Sequence, residues 1–161
     1  MRAVVQRVRS ANVTVGGQVV GQIEAGLLVL LGISTSDTER EAIWMAQKIA
    51  KLRIFEGEDP AKGITNTVED SQGSVLLVSQ FTLYGSVRGN NRPSFIMAAA
   101  PAQAEPLYQL VGSQLGRLLT QPISFGVFGA MMDVALVNDG PFTVWIDTED
   151  DLAAGAKVVR A

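Results

Sequence analysis

Gly73-Ser74-Val75-Leu76-Leu77-Val78-Ser79-Gln80-Phe81-Thr82-Leu83-Tyr84 opens as an apolar, branched run and then turns polar around one aromatic. The first half reads as a buried strand. Tyr84-Gly85-Ser86 is a turn signal, so the strand is expected to end there. A strand that only filled a core would gain nothing from Ser79, Gln80 and Thr82, because each buried polar group needs a partner. Polar groups at the end of a rigid strand, beside a loop, are well placed to meet a ligand. Taken alone, the stretch favours the plainer alternative, a strand end whose Ser and Thr bond neighbouring backbone.

Other segments set the architecture around this stretch. Leu27-Leu28-Val29-Leu30-Leu31-Gly32-Ile33 is a continuous apolar run, expected as a central strand covered on both faces. Residues 2–9 alternate as a first strand. Asn12–Val15 and Gln18–Val20 flank Gly16-Gly17 as a hairpin. Ile43, Trp44, Ala46, Ile49 and Ala50 recur at helical spacing, with Ser36 or Asp37 as the expected cap and Glu39 and Glu41 in the first turn. A second helix opens at Pro101 and stops before Pro122. Leu52–Phe55, Ile123–Phe125, Met131–Val137 and Phe142–Asp147 read as further strands, and residues 56–73 as a polar excursion. Short turns between strands favour an α+β fold: a curled antiparallel or mixed β-sheet approaching a barrel, with two main helices packed outside. The chain is expected to form one domain over residues 1–148, followed by a small, polar, frayed tail at 149–161.

Composition narrows the chemistry. The 161 residues are 47% hydrophobic and 18% charged, enough for an ordinary core. There is no Cys and no His. A Ser-His-Asp triad, a Cys nucleophile and a zinc site of the usual ligands are thereby excluded. Carboxylates alone can assist through Mg²⁺, but no metal and no cofactor is expected. An enzyme of this composition must work by positioning, by backbone donors or by a group on its substrate. The net charge of -3 argues against broad nucleic-acid binding, though not against a small basic patch gripping one end of an RNA. No apolar run is long enough to span a bilayer, and residues 1–7 lack a signal-peptide layout. No membrane association and a cytoplasmic location are expected.

Asn138-Asp139-Gly140-Pro141 forms a second constellation, read as a sharp turn within a hairpin. Gly allows close backbone approach, and an X-Pro bond adopts cis at modest cost. Such a turn either presents bare carbonyl oxygens to a ligand or simply reverses the chain.

Taken together, Val4-Val5-Gln6-Arg7-Val8, Gly26–Gly32, Leu52–Phe55, Val78-Ser79-Gln80-Phe81-Thr82-Leu83, Arg92-Pro93-Ser94-Phe95 and Val137-Asn138-Asp139-Gly140-Pro141 occur in an order that resembles the D-aminoacyl-tRNA deacylase family over about residues 1–147. The resemblance implies a homodimer with active sites at the subunit interface. It implies hydrolysis of the ester between a D-amino acid and tRNA, and removal of glycine mischarged onto alanine tRNA. By the same resemblance Ser79, Gln80, Phe81 and Thr82 line the catalytic site. Gly140-Pro141 is a cis pair that reaches the partner's site and selects chirality, and Arg7 helps hold that turn. The tRNA's 2′-hydroxyl is implied in the chemistry, with backbone donors near Phe81 and Thr82 steadying the oxyanion. Arg88, Arg92, Lys48 and Lys51 are candidates to grip the tRNA acceptor end. Phe142 stands where the family usually has a small aliphatic residue. A non-catalytic dimeric module that binds aminoacyl-tRNA ends is the alternative.

Overall fold

The computed structural model describes residues 1–59, 61, 63–89 and 91–152. Asn90, in the candidate basic loop, and residues 153–161 of the expected tail lie outside them.

Among the described residues, eight strands and three α-helices follow in the order β1 (Arg2–Val15), β2 (Gln18–Ile23), β3 (Gly26–Gly32), α1 (Glu39–Ala50), β4 (Phe55–Glu56), β5 (Ile64–Asn66), β6 (Ser74–Ser79), α2 (Pro101–Leu118), β7 (Ile123–Phe125), β8 (Asp133–Asp147) and α3 (Thr148–Asp151). The main sheet is mixed and runs β2-β1-β3-β6-β7, with β8 along the other edge of β1. β1 pairs antiparallel with β2, β3 and β8, while β3–β6 and β6–β7 are parallel. The curl brings β7 back to β2, where Ser124 Oγ donates to the Gln22 carbonyl at 2.9 Å. That seam has no ladder among the described residues, so the barrel is almost closed. The expected α+β fold with a curled mixed sheet is what forms.

The apolar runs end up where their patterns require. Ala3, Val5, Leu27, Val29, Leu31, Val75 and Leu77 face the helices and pack on Trp44, Met45, Ile49, Tyr108, Val111 and Leu115. Val8, Ala11, Val13, Ile23, Leu28, Leu76 and Val78 fill the inside of the curl. The buried Tyr108 hydroxyl donates to the Leu77 carbonyl at 2.7 Å and ties α2 to β6. No helix among the described residues is long and apolar enough to cross a membrane.

Several expectations need correction. Residues 2–9 and 12–15 are one continuous strand, because a bulge replaces the expected break: Val8 faces Asn138 and Ser10 faces Val137, leaving Arg9 extra. One extra residue moves the buried set to the other face, which is why odd positions face the helices at Ala3 and Val5 but the interior at Ala11 and Val13. The α1 cap is Thr38, in a capping box with Glu41, rather than Ser36 or Asp37. Asp37 is occupied elsewhere: it accepts from the Ser34 N–H at 2.7 Å and from the Met1 ammonium at 2.6 Å. Of Leu52–Phe55 only Phe55 is in a strand, and it pairs with Asn66 of β5, inside the expected excursion. The start of the expected tail is a helical turn capped by Asp147, with Leu152 buried in the core.

Candidate active site

β6 lies in register with β3 from Gly26↔Ser74 to Leu31↔Ser79. It stops at Ser79, not at Tyr84 as expected. The Gln80 N–H still reaches the Leu31 carbonyl at 2.8 Å, and then Phe81–Tyr84 wind into one 3-10 turn. Gly32 makes room for it, since a Cβ there would lie 2.9 Å from the Gln80 carbonyl oxygen and 3.1 Å from Leu83 Cβ. The opening N–H groups of such a turn have no partner within it. Among the described residues no backbone carbonyl accepts from Phe81 or Thr82 N–H. Both residues are exposed, and Phe81 is 57% exposed, its ring edge-on to Phe95 at 5.1 Å. Gln80 Nε2 donates to Thr82 Oγ1, fixing two of the polar side chains against each other.

The rest of the turn is anchored. Tyr84 is buried, and its phenol is pushed well above its usual range, first by burial and next by the charge of Asp37. Arg2 Nη1 donates to the Leu83 carbonyl at 3.1 Å. Downstream, paired backbone bonds between Ser86 and Ser94 (2.8 and 2.9 Å) pinch off the loop carrying Arg88 and Arg92. Both arginines are exposed. Lys48 and Lys51 lie at the far end of α1, with Lys48 Nζ 5.0 Å from the Trp44 ring centre.

The second constellation is not a hairpin. Both halves of β8 pair with β1, with Asn138 opposite Val8 and Thr143 opposite Gln6. Asp139, Gly140, Pro141 and Phe142 therefore bulge out opposite the single residue Arg7, without ladder partners. The Gly140–Pro141 bond is cis, and Gly140 has φ +120°. At that φ an L side chain is strained, and a Cβ at Gly140 would also crowd Phe142 N at 3.0 Å and Arg7 Nη2 at 3.2 Å. Asn138 Nδ2 closes the neck by donating to the Arg7 carbonyl (3.0 Å) and the Phe142 carbonyl (3.2 Å).

Arg7 braces this bulge from beneath. It is buried, and its Nη1 donates to the Ile54 carbonyl at 2.6 Å. Its Nε lies 3.1 Å from Asp139 Oδ2, an ion contact off the N–H direction that leaves Nε without a hydrogen bond. The guanidinium sits 5.3 Å from the Phe142 ring centre. Arg9 also reaches Asp139, at 3.2 Å. Gly140 and Pro141 themselves are exposed.

The fold gathers Ser79, Gln80, Phe81 and Thr82 at one place, and Arg7, Gly140 and Pro141 at another. Ser79 is in register with Leu31, and Leu31 with Ala3. Arg7 is four positions further along β1, and β8 is three strands from β6. At ~3.3 Å per residue and ~4.8 Å per strand, the two groups are about 20 Å apart across the sheet. The sequence did not single out Phe95, which meets the Phe81 ring, or Asn138, which closes the neck of the bulge, although both stand inside the motifs that carry the resemblance. It also missed Arg2, whose only signal was its place at the start of β1. Among the described residues no group of three or more acidic, His or Cys side chains is arranged to hold a metal ion.

A family model for D-Tyr-tRNA(Tyr) deacylase matches residues 4–147. The D-aminoacyl-tRNA deacylase of Thermus aquaticus is 53% identical over 150 residues, covering 93% of this chain and 97% of that one. The D-aminoacyl-tRNA deacylase of Brevibacillus brevis is 53% identical over 148 residues, covering 92% of this chain and 100% of that one. Among solved structures, a c-Myc DNA unwinding element binding protein superposes with a TM-score of 0.84 at 44% identity, over 91% of this chain and 98% of that one. With nearly its whole length matched by the family model and by these relatives, the chain belongs to the D-Tyr-tRNA(Tyr) deacylase family.

Proposed function

We propose that this protein hydrolyses the ester of D-aminoacyl-tRNA, releasing tRNA and a free D-amino acid. Each active site is built from two copies of the chain. The observation that carries the assembly is the separation within one subunit between a donor-rich turn at Phe81–Thr82 and an exposed bulge at Gly140–Pro141. A two-fold pair brings the bulge of one copy to the turn of the other, twice.

In this reading the free N–H groups of Phe81 and Thr82 take the oxyanion that forms when the ester carbonyl is attacked. Preorganised donors of this kind supply the large electrostatic share of catalysis. The tRNA's own 2′-hydroxyl assists, since the chain carries no histidine and no base beside Thr82. Thr82, held by Gln80, is a hydrogen-bonding relay and not a nucleophile. The partner's Gly140 and Pro141 carbonyls accept from the substrate's α-ammonium. Backbone on that side leaves no room for an L side chain and does not inspect a D side chain. Glycine, lacking a side chain, passes the same filter, so glycine mischarged onto tRNA-Ala is a substrate as well. The DNA contact named for the structural relative is not carried over, because a chain of net charge -3 lacks the general electrostatic drive for duplex binding.

The test uses D-tyrosyl-, L-tyrosyl- and glycyl-tRNA, with and without EDTA. Release of D-tyrosine and glycine, with L-tyrosine spared and EDTA without effect, is the expected result. No release from any of them would leave a non-catalytic module that binds aminoacyl-tRNA ends. Cleavage of the L ester would keep the hydrolase and remove the main-chain filter.

A further inference from the structure

Besides the burial of Tyr84, one side chain from another element holds the backbone of the turn that presents Phe81 and Thr82. Arg2, first residue of β1, sends Nη1 to the Leu83 carbonyl at 3.1 Å and Nε to Asp147 Oδ2 at 2.8 Å. Its guanidinium lies 4.5 Å from the Tyr84 ring centre and 5.7 Å from that of Trp145. Asp147 is itself fixed, since its Oδ1 accepts from the Glu149 N–H at 3.0 Å and its side chain is only 8% exposed. The cation therefore spans from the end of β8 to the last part of the turn. Among the described residues it is the one side chain from another element that hydrogen-bonds the turn's backbone.

We propose that Arg2 is a positioning residue for the deacylase reaction, acting through the Leu83 carbonyl to set the direction of the Phe81 and Thr82 N–H groups. This rests on the deacylase reading above. A 3-10 turn is a single short unit, so holding a carbonyl near its end constrains its first amides. The planar fork suits this role, because it serves two acceptors in one plane while lying beside two aromatic rings. Lysine keeps the charge but offers a compact point donor on a flexible stem, a poor match for a clamp between two fixed acceptors.

The experiment compares the wild-type protein with Arg2→Ala, Arg2→Lys and Asp147→Asn. On D-tyrosyl-tRNA, Arg2→Ala is expected to lower kcat about 10- to 100-fold, the scale of a small misplacement of catalytic donors, with KM changed less than about threefold. Arg2→Lys and Asp147→Asn should fall between it and wild type. The preference for D-tyrosyl over L-tyrosyl ester should not move, because the filter is elsewhere. Amide hydrogen exchange supplies a readout independent of turnover: in Arg2→Ala, Leu83, Tyr84 and Gly85 should exchange about tenfold faster while Val75–Val78 keep wild-type protection. An unchanged kcat, or faster exchange spread evenly through β6, would overturn the proposal, the latter by reducing Arg2 to a general staple. If the wild-type protein cleaves nothing, the deacylase reading fails. The clamp then stands or falls on whether exchange quickens in the turn alone.

Discussion

The turn at Phe81–Tyr84 and the bulge at Asp139–Phe142 are both places where a strand of the main sheet abandons its ladder, and they are built in opposite ways. The turn is seated in its own subunit: Gln80 bonds Leu31, Tyr84 is buried, and Arg2 holds the Leu83 carbonyl. What it leaves over are N–H donors. The bulge is propped from below by Arg7 and Asn138, and its crest at Gly140 and Pro141 is exposed and unpaired in the ladder. What it leaves over is carbonyl-bearing backbone without side-chain cover. A substrate that carries an ammonium and develops an oxyanion needs an acceptor surface and a donor surface together. One subunit holds both, but about 20 Å apart by strand and residue spacings.

Breaking either half should stop the reaction by a different route. Phe81→Pro removes one donor and the exposed ring while respecting the backbone. Position 81 opens the turn, and Gln80 before it lies outside the α region that proline disfavours, at φ -145°, ψ 79°. Loss of an oxyanion donor typically costs about 10²–10³ in kcat, and that is the expected drop, with Tm nearly unchanged. Gly140→Ala should be second. Its Cβ would push on Phe142 and Arg7 in a backbone conformation that L residues resist, displacing the crest. Activity on D-tyrosyl-tRNA should fall about 10²-fold, as for a misplaced binding group, and a denaturation series should show only a modest loss of stability.

Arg7→Ala separates support from contact. It leaves the Ile54 carbonyl without its 2.6 Å donor and Asp139 without its buried cation. A stability loss of about 2–4 kcal/mol is expected, the range for removing one partner of a buried charged hydrogen bond. Activity should fall with it through the bulge. Arg2→Ala, by contrast, should move kcat more than stability.

The smallest effect is a pH dependence of the anchored regions. Burial raises the Tyr84 and Tyr108 phenols above their ordinary 10.0 in the folded chain. The neutral forms are thus favoured by folding. Stability contributed by these groups is complete below about pH 10, where the unfolded phenols ionise, and falls as pH rises past it. Thermal unfolding from about pH 8.5 upward should show a declining Tm above that point. Replacing both tyrosines with phenylalanine should flatten the decline even though Tyr108→Phe forfeits the bond to Leu77.

What was legible in the sequence divides along the same line. The runs that make β3 and β6 and the periodic faces of α1 and α2 declare themselves locally, because burial on both faces or on one stripe leaves a direct imprint on residue type. The breaks do not. Phe-Thr-Leu-Tyr has strand-forming side chains, yet the chain winds up after Gln80, against a glycine of the neighbouring strand that no local rule connects to it. Asn138-Asp139-Gly140-Pro141 carries every mark of a hairpin, and only its pairing with Arg7 of a strand far away in sequence turns it into a bulge. Thr38 became the cap because Asp37 was drawn to Ser34 and the chain's first residue. In each case a long-range partner overrode a sound local signal. The motifs themselves were readable, but their distance from each other was not.

The most direct test of a site shared between two copies is subunit complementation. Phe81→Pro and Gly140→Ala chains, each nearly inactive alone, are unfolded together, refolded as a mixture and assayed on D-tyrosyl-tRNA. A hybrid pair holds one site with an intact turn and an intact bulge, so random pairing should restore about a quarter of wild-type activity. Activity no greater than that of the separate variants, with hybrid pairs shown to be present, would contradict the shared site.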